Sequence, residues 1–368
     1  MELFRLKENI ASLRRRDKMT QEELADYMGV SKSSVSKWET GTTIPDIVFL
    51  PELANLFHVT LDELLGYEPQ LDRDQIRRIY DELSKEMSCG DRNQALKDYK
   101  DYVHRYSCCF PFLNQMCVLL LNHLDMYEET QRKELYDLLW KQCQRIKEKS
   151  EDADLMKDAI MMESILSIQM KQPEKVLELI GEDIRPLRQD SELIASAYQM
   201  LGNIEKAKEI TQVCSYQYLL FFLQDTMNYM MLNVENHALC DEIIQRLHVV
   251  MHTFHLDRLH AITAITFHLD CAVIYAMRED KDATLTSLET YTDICCYHNE
   301  TLEHLKGDEF FCHIDQWLQD LELGTRAPRA KQMVYASLLQ AIEENPLFQF
   351  LHEEHRYQTC VERLKHKL

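Results

Sequence analysis

Apolar residues recur at helical spacing from the first turns of the chain, and capping residues cut the pattern into short segments. Leu3, Leu6, Ile10 and Leu13 fall three to four residues apart, the period of an amphipathic helix. Thr20 with Glu23 forms a capping box ahead of Leu24 and Met28; Gly29 closes that helix, and Ser31 caps another that runs to about Glu39. Gly41 and Pro45 mark a loop, Asp46 caps a helix through Phe57, and Thr60 with Glu63 forms a second capping box over Leu61 to Leu65. The pattern predicts five short helices packed as one domain.

From about Asp72 the amphipathic runs lengthen, and strand alternation is almost absent. Gly66, Tyr67, Glu68 and Pro69 form a helix stop, which sets the expected organisation: residues 1–67 as the first domain, 68–74 as a linker and 75–368 as a larger helical part. Within that part, Ala195, Tyr198, Gly202 and Ala207 are spaced as in a tetratricopeptide hairpin. The two alanines allow close helix approach, the tyrosine fills the gap and the glycine supports the turn. Gln169-Met170 with Glu174-Lys175 echoes Gln199-Met200 with Glu205-Lys206 about 30 residues later, near the usual period of about 34. A third echo, Ile274 to Ala283, lacks the turn glycine. At that period the larger part has room for about eight helical pairs. The expected fold class is all-α: a five-helix domain followed by an α-solenoid of tetratricopeptide-like hairpins.

Composition narrows this picture. The 368 residues include only 8 Gly and 8 Pro, well below the roughly 12% of average usage, as expected for helices with short connections. At about 150 residues per domain the length suggests two or three units, and 45% hydrophobic residues suffice for a large core. The net charge of −21 disfavours extended wrapping of nucleic acid or binding to anionic membrane. Residues 1–67 carry 8 basic and 11 acidic side chains, so −18 of the charge belongs to the remainder, while Tyr27 to Trp38 holds Lys32 and Lys37 and no acid. No apolar run approaches a membrane span and Met1 to Arg16 has no signal-type apolar region, so a cytoplasmic location is expected. All twelve Cys lie after residue 88 without a C-x-x-C, which reads as buried, reduced thiols.

Gln21 to Glu39, with Gly29 between two short helices, has the layout of a helix-turn-helix. At 100° per residue, Lys32, Ser36, Ser33 and Lys37 span about 140° of one face, while Trp38 and Val35 point the other way, toward a core. Neither lysine has a neighbouring acid in this stretch. At these residues the sequence resembles the Xre (Cro/C1-type) helix-turn-helix family. Ile10, Leu13-Arg14, Thr20-Gln21, Leu24-Ala25, Gly29-Val30-Ser31, Ser36-Lys37-Trp38-Glu39, Gly41, Pro45 and Leu61 to Leu65 all fall in register. The resemblance implies double-stranded DNA as partner. In that role Gln21 would hold a phosphate beside a helix N-terminus, and Lys32, Ser33 and Lys37 would face base edges. Ser34, Ser36 and Thr40 would reach phosphates or bases. It further implies an internal Arg14–Glu39 ion pair, which removes Arg14 from the basic run Arg14-Arg15-Arg16. The rest of that run is either a solvated helix end or a phosphate contact.

A head of this kind before helical repeats is similar in layout to the Rgg and PlcR group of peptide-sensing regulators. That similarity implies a homodimer whose repeats bind a short signalling peptide. The acidic balance would favour a cationic or neutral one. The alternative is a scaffold for a protein partner, antitoxin-like or phage-repressor-like, without a small effector. Asn228, Asn233 and Asn236 are read as ordinary helix-surface and loop residues. His248, His252 and His255 share an arc of about 60° on one helix, with Asp257 and His260 nearby. A packed or pH-sensitive face is favoured there over a metal site. Cys295, Cys296 and His298 with Cys312 and His313 form a weaker cluster. No cofactor or metal is expected, and the absence of Gly-rich phosphate loops, G-x-S-x-G and H-E-x-x-H speaks against an enzyme.

Overall fold

The computed structural model describes residues 5–67, 70–184, 190–297 and 302–367. Leu3 of the first stripe, Glu68 and Pro69 of the expected boundary, and His298 lie outside the described residues. The chain divides into two compact units, Met1–Asp72 with Tyr102–Phe112 and Arg73–Asp101 with Leu113–Leu368.

The first unit contains α1 (Leu6–Arg16), α2 (Gln21–Met28), α3 (Lys32–Thr40), α4 (Leu50–Leu56) and α5 (Leu61–Leu65). Both capping boxes form: the Thr20 hydroxyl accepts from the Glu23 amide at 3.2 Å while Glu23 Oε2 accepts from the Thr20 amide at 2.7 Å, and Thr60 with Glu63 repeats the arrangement. Each such cap stabilises its helix by about 1 kcal/mol. Asp46, however, caps a single 3-10 turn, Ile47–Phe49, which runs into α4, and not one helix through Phe57. Pro51 has no N–H to donate to the Ile47 carbonyl, so an α-helix cannot be continuous across that point. The apolar stripes converge on a core in which Ile10, Leu24, Val35, Leu53, Phe57 and Leu64 are fully buried. Asn9 Nδ2 donates to the carbonyls of Glu63 and Leu64, tying α1 to α5.

The rest of the chain is helical as well: α6 (Arg73–Cys89), α7 (Arg92–Arg105), α8 (Phe110–His123), α9 (Glu129–Lys149), α10 (Ala153–Gln169), α11 (Pro173–Ile180), α12 (Asp190–Met200), α13 (Ile204–Met231), α14 (His237–Thr253), α15 (Leu256–Leu259), α16 (Ala261–Met277), α17 (Lys281–Tyr297), α18 (Asp315–Asp320), α19 (Lys331–Glu343) and α20 (His355–Lys365). No β-strand occurs among the described residues; His304 and Arg326 form an isolated antiparallel bridge. Among those residues no helix is long and apolar enough to cross a membrane.

Successive helices pack as hairpins, notably α10 with α11, α12 with α13 and α16 with α17. These three share one turn geometry. The middle residue is left-handed, with φ of 57° at Lys171, 79° at Gly202 and 58° at Glu279. The next amide reaches back five residues, from Gln172 to Ser167 O (2.8 Å), Asn203 to Tyr198 O (2.9 Å) and Asp280 to Tyr275 O (3.0 Å). This is the Schellman helix end. The echo at Ile274 to Ala283 is therefore a hairpin of the same kind despite its missing glycine. Lys171 and Glu279 accept a conformation that costs a non-glycine residue roughly 1–2 kcal/mol; around Glu279 the buried faces of α16 and α17 offset that cost.

One core of the second unit is built around α16 and α17, where Phe267, Leu288 and Tyr291 are fully buried, and Phe348 joins them. Arg77 on α6 donates to the carbonyls of Gln319, Leu321 and Glu322 at 2.6–2.8 Å. By contrast α11 and α12 bury no side chain, and Leu177, Ile180, Leu193 and Ile194 remain exposed. The hairpins do not run at one regular period through the whole of this part. Residues 304–330 form an irregular stretch in which α18 is the one helix, and Gly307, Gly324 and Pro328 there do not sustain a hairpin period.

A Cβ at Gly202 would meet no atom within 4 Å, so substitution there tests the backbone alone. Gly202→Ala is expected to lower stability by about 1 kcal/mol, and Glu279→Gly to raise it by roughly 0.5 kcal/mol. Urea unfolding checks both: the midpoint should move in opposite directions with the slope unchanged.

Candidate nucleic-acid interface

The expected DNA-facing residues lie on α3 and at the start of α2, and their geometry rests on one carboxylate. Arg14 on α1 pairs with Glu39 on α3 in two-pronged fashion, Nε to Oε1 at 2.6 Å and Nη2 to Oε2 at 3.0 Å, while its Nη1 donates to the Met19 carbonyl at 2.7 Å. Gln21 Nε2 donates to Glu39 Oε2 at 2.8 Å. Helices α1, α2 and α3 thus meet at Glu39. The side chains of Arg14 and Glu39 are only 12% and 6% exposed, so this pair is sheltered, unlike a surface pair worth less than about 1 kcal/mol. Burial pushes the Glu39 carboxyl up, but hydrogen bonds from Arg14 and Gln21 more than offset it and leave it below its ordinary range.

Around this brace, Val35 and Trp38 point inward; Trp38 is buried and its ring lies 5.8 Å from that of Phe49. Lys32, Ser33, Lys37 and Thr40 are exposed, and Ser34 and Ser36 are half-buried. The Ser31 hydroxyl, which caps α3 by accepting from the Ser34 amide, also contacts the hydroxyls of Ser33 at 2.8 Å and Ser34 at 2.9 Å. Thr40 Oγ1 donates back to helix carbonyls, 2.9 Å from Ser36 O. The helix therefore presents preset hydroxyls and two lysines.

Three expectations change. Lys32 does have a neighbouring acid: its Nζ lies 3.1 Å from Glu22 Oε2. The contact spans ten residues and two helices, so the α3 period alone cannot reveal it. Lys37 makes no ion pair among the described residues. Gln21 spends one amide N–H on Glu39, which gives it a bracing role that the sequence alone did not indicate. Ile47 and Val48, expected within the helix that Asp46 caps, instead stand exposed in the 3-10 turn, and Ile44 is exposed in the loop before it.

The histidine arc is also corrected. Helix α14 ends at Thr253, and His255 is left-handed with φ 47°, so it leaves the face shared by His248 and His252. His248 turns toward α16, its ring 4.9 Å from Phe267 and 5.5 Å from His268. Burial lowers His248 and drives His268 and His260 to about 4, which fits a packed neutral face. Cys295 and Cys296 are buried in α17, Cys312 is exposed, and His298 lies outside the described residues. Among the described residues no three His, Cys, Asp or Glu are grouped to hold a metal. Asn236 caps α14, accepting from the Leu239 amide at 3.2 Å, and Asn228 and Asn233 bond within α13 and its end.

This brace and exposed helix define a class, the helix-turn-helix domain, and residues 10–64 match the family model described as Helix-turn-helix. The chain is 30% identical over 76 residues to the uncharacterized HTH-type transcriptional regulator YobD of Bacillus subtilis, which takes in 20% of this chain and 68% of that protein. The chain belongs to the HTH-type transcriptional regulators, with a head of the Xre type. It is also 35% identical over 79 residues to the HTH-type transcriptional activator BcrR of Enterococcus faecalis, taking in 20% of this chain but only 39% of BcrR. Apo ComR from S. thermophilus is similar at a TM-score of 0.24 and 14% identity, covering 79% of this chain and 92% of that one. A score that low says nothing about how these helices are arranged.

The Glu39 carboxyl titrates below its ordinary value of 4.5 in the folded state. The stability it contributes is therefore complete above that value and lost as pH falls through the lower folded one. Glu39→Gln should destabilise the head by about 1–3 kcal/mol at neutral pH and flatten its acid-side loss. Thermal unfolding followed from pH 7 down to pH 3 reads both effects.

Proposed function

We propose that this protein is a sequence-specific DNA-binding transcriptional regulator. Residues 1–67 read duplex DNA, and residues 75–368, joined by a 68–74 linker, dimerise and bind an effector, a short peptide. The observation that carries the reading is Lys37. It stands exposed and without an ion pair among the described residues, on a helix whose rotation is fixed by the Arg14–Glu39–Gln21 brace. A lysine so placed suits guanine O6 and N7 in the major groove. Lys32 and Ser33 would join it at base edges, with Lys32 exchanging Glu22 for the DNA. Ser34, Ser36 and Thr40 would supply hydroxyls to phosphates or bases, and the first turn of α2 around Gln21 would offer backbone N–H groups to a phosphate. In a homodimer two such heads would meet half-sites one helical turn apart, roughly 34 Å, or a multiple.

For the larger unit, the exposed apolar side chains of α11 and α12 support binding of a peptide, and the acidic balance favours one that is neutral or cationic. The same exposed side chains suit a folded protein partner, which is the second reading. Native mass spectrometry of the protein purified from its host separates the two: a retained short peptide supports sensing, and a stoichiometric folded partner supports a scaffold.

Selection of bound sites from a random duplex pool tests the DNA assignment. Lys37→Ala should cost about 1–3 kcal/mol of specific affinity and relax one base position. A variant that selects the same site with unchanged affinity would remove Lys37 from the interface.

A further inference from the structure

The geometry points to a small-molecule site in the second unit, for a monocarboxylate with an aliphatic or aromatic body. A cavity of about 380 Å³ opens between the start of α16, the bridged segments around His304 and Arg326, and α19. That is within the roughly 300–1,000 Å³ of small-molecule sites. Ile262, Leu302, Leu305, Pro328 and Leu338 line it, so the body of an occupant would be apolar. A lobe of about 170 Å³ shares the Glu303, Arg326 and Arg329 wall.

The charged groups at the cavity differ in how well they are satisfied. Arg326 is closely paired with Asp81, and Glu303 holds Lys331 at 2.5 Å. Arg329 is stretched between poorer acceptors: its Nη2 lies 3.4 Å from Asp125 Oδ2 and its Nη1 3.5 Å from Ser337 Oγ. Short charge-assisted bonds run nearer 2.7–2.9 Å, so this guanidinium retains capacity for a better-placed anion. Asp125 is 59% exposed and can return to water at little cost. His260, on the cavity wall, bonds Thr263 Oγ1 through Nδ1 at 2.7 Å; burial lowers it to about 4, so it adds no competing charge. A carboxylate on Arg329 with its tail among the apolar walls satisfies both halves of the site. The inference does not depend on peptide binding by the repeats.

Calorimetric titration of the full chain with decanoate, and with decanol as its neutral counterpart, tests the assignment. Decanoate should bind saturably with one site per chain, and decanol about 10-fold or more weaker, the loss expected for one charged hydrogen bond. Arg329→Gln should weaken decanoate by a similar factor without affecting decanol. Asp125→Asn, an exposed and conservative change, should tighten decanoate several-fold, which a merely structural role for Asp125 would not produce. Ser337→Trp at the exposed rim should block both ligands, with an unchanged melting profile confirming folding. Absence of saturation in the wild type, equal binding of decanoate and decanol, or indifference of decanoate to both Arg329→Gln and Asp125→Asn would overturn the assignment.

Discussion

The first unit depends on the Glu39 carboxylate. Placing a carboxylate where its side chain is only 6% exposed costs several kcal/mol unless its oxygens are bonded. Here three N–H groups from two other helices reach it. That satisfaction has a geometric consequence. Helix α3 cannot rotate about its axis without breaking bonds to α1 and α2, so the direction in which Lys37 projects is settled before any partner arrives. Val35 and Trp38 reinforce this from the opposite side by burial, but burial is non-directional, whereas the two-pronged contact fixes an angle. The side chain that sets the direction of the exposed face of α3 is thus one that does not itself lie on that face.

How much of this was legible in the sequence follows from the range of each interaction. The caps of α2, α3 and α5 were readable because a hydroxyl and an amide three residues apart can meet only one way. The inward turn of Val35 and Trp38 followed from period alone. The Lys32–Glu22 contact did not, since it depends on how two helices cross. Asp46 was assigned its cap but not the length of its helix, because Pro51 acts on a carbonyl four residues earlier. His255 was misplaced for a related reason: helical extrapolation past Thr253 ignores a left-handed residue that no local signal at 254–256 announces.

The turns of the second unit show the converse. Glycine at 202 made one hairpin visible, yet Lys171 and Glu279 adopt the same left-handed turn. At Glu279 the burial of α16 against α17 outweighs a penalty of roughly 1–2 kcal/mol, so a missing glycine is weak evidence against a repeat where the flanking helices bury many side chains. Hairpin identity resides in the helix faces, and the turn conforms. The irregular stretch at 304–330 marks where such faces are lacking, and there backbone carbonyls are satisfied by side chains such as Arg77 instead.

Charge partition constrains how the proposed DNA reading would work. The first 67 residues are themselves slightly acidic, and of the two lysines on α3 one is engaged by Glu22. Each phosphate neutralised by a protein cation contributes about 0.9 to the salt slope of duplex binding. With one lysine on it unpaired among the described residues, the α3 face by itself would draw little non-specific affinity from the backbone. Its discrimination would rest on base contacts held at a fixed angle and on joining two heads through the larger unit, since a second head on the same chain pair acts at high effective concentration. The acidic bulk would lower affinity for every duplex alike, so the difference between one site and another would fall to the base contacts that the brace holds at a fixed angle.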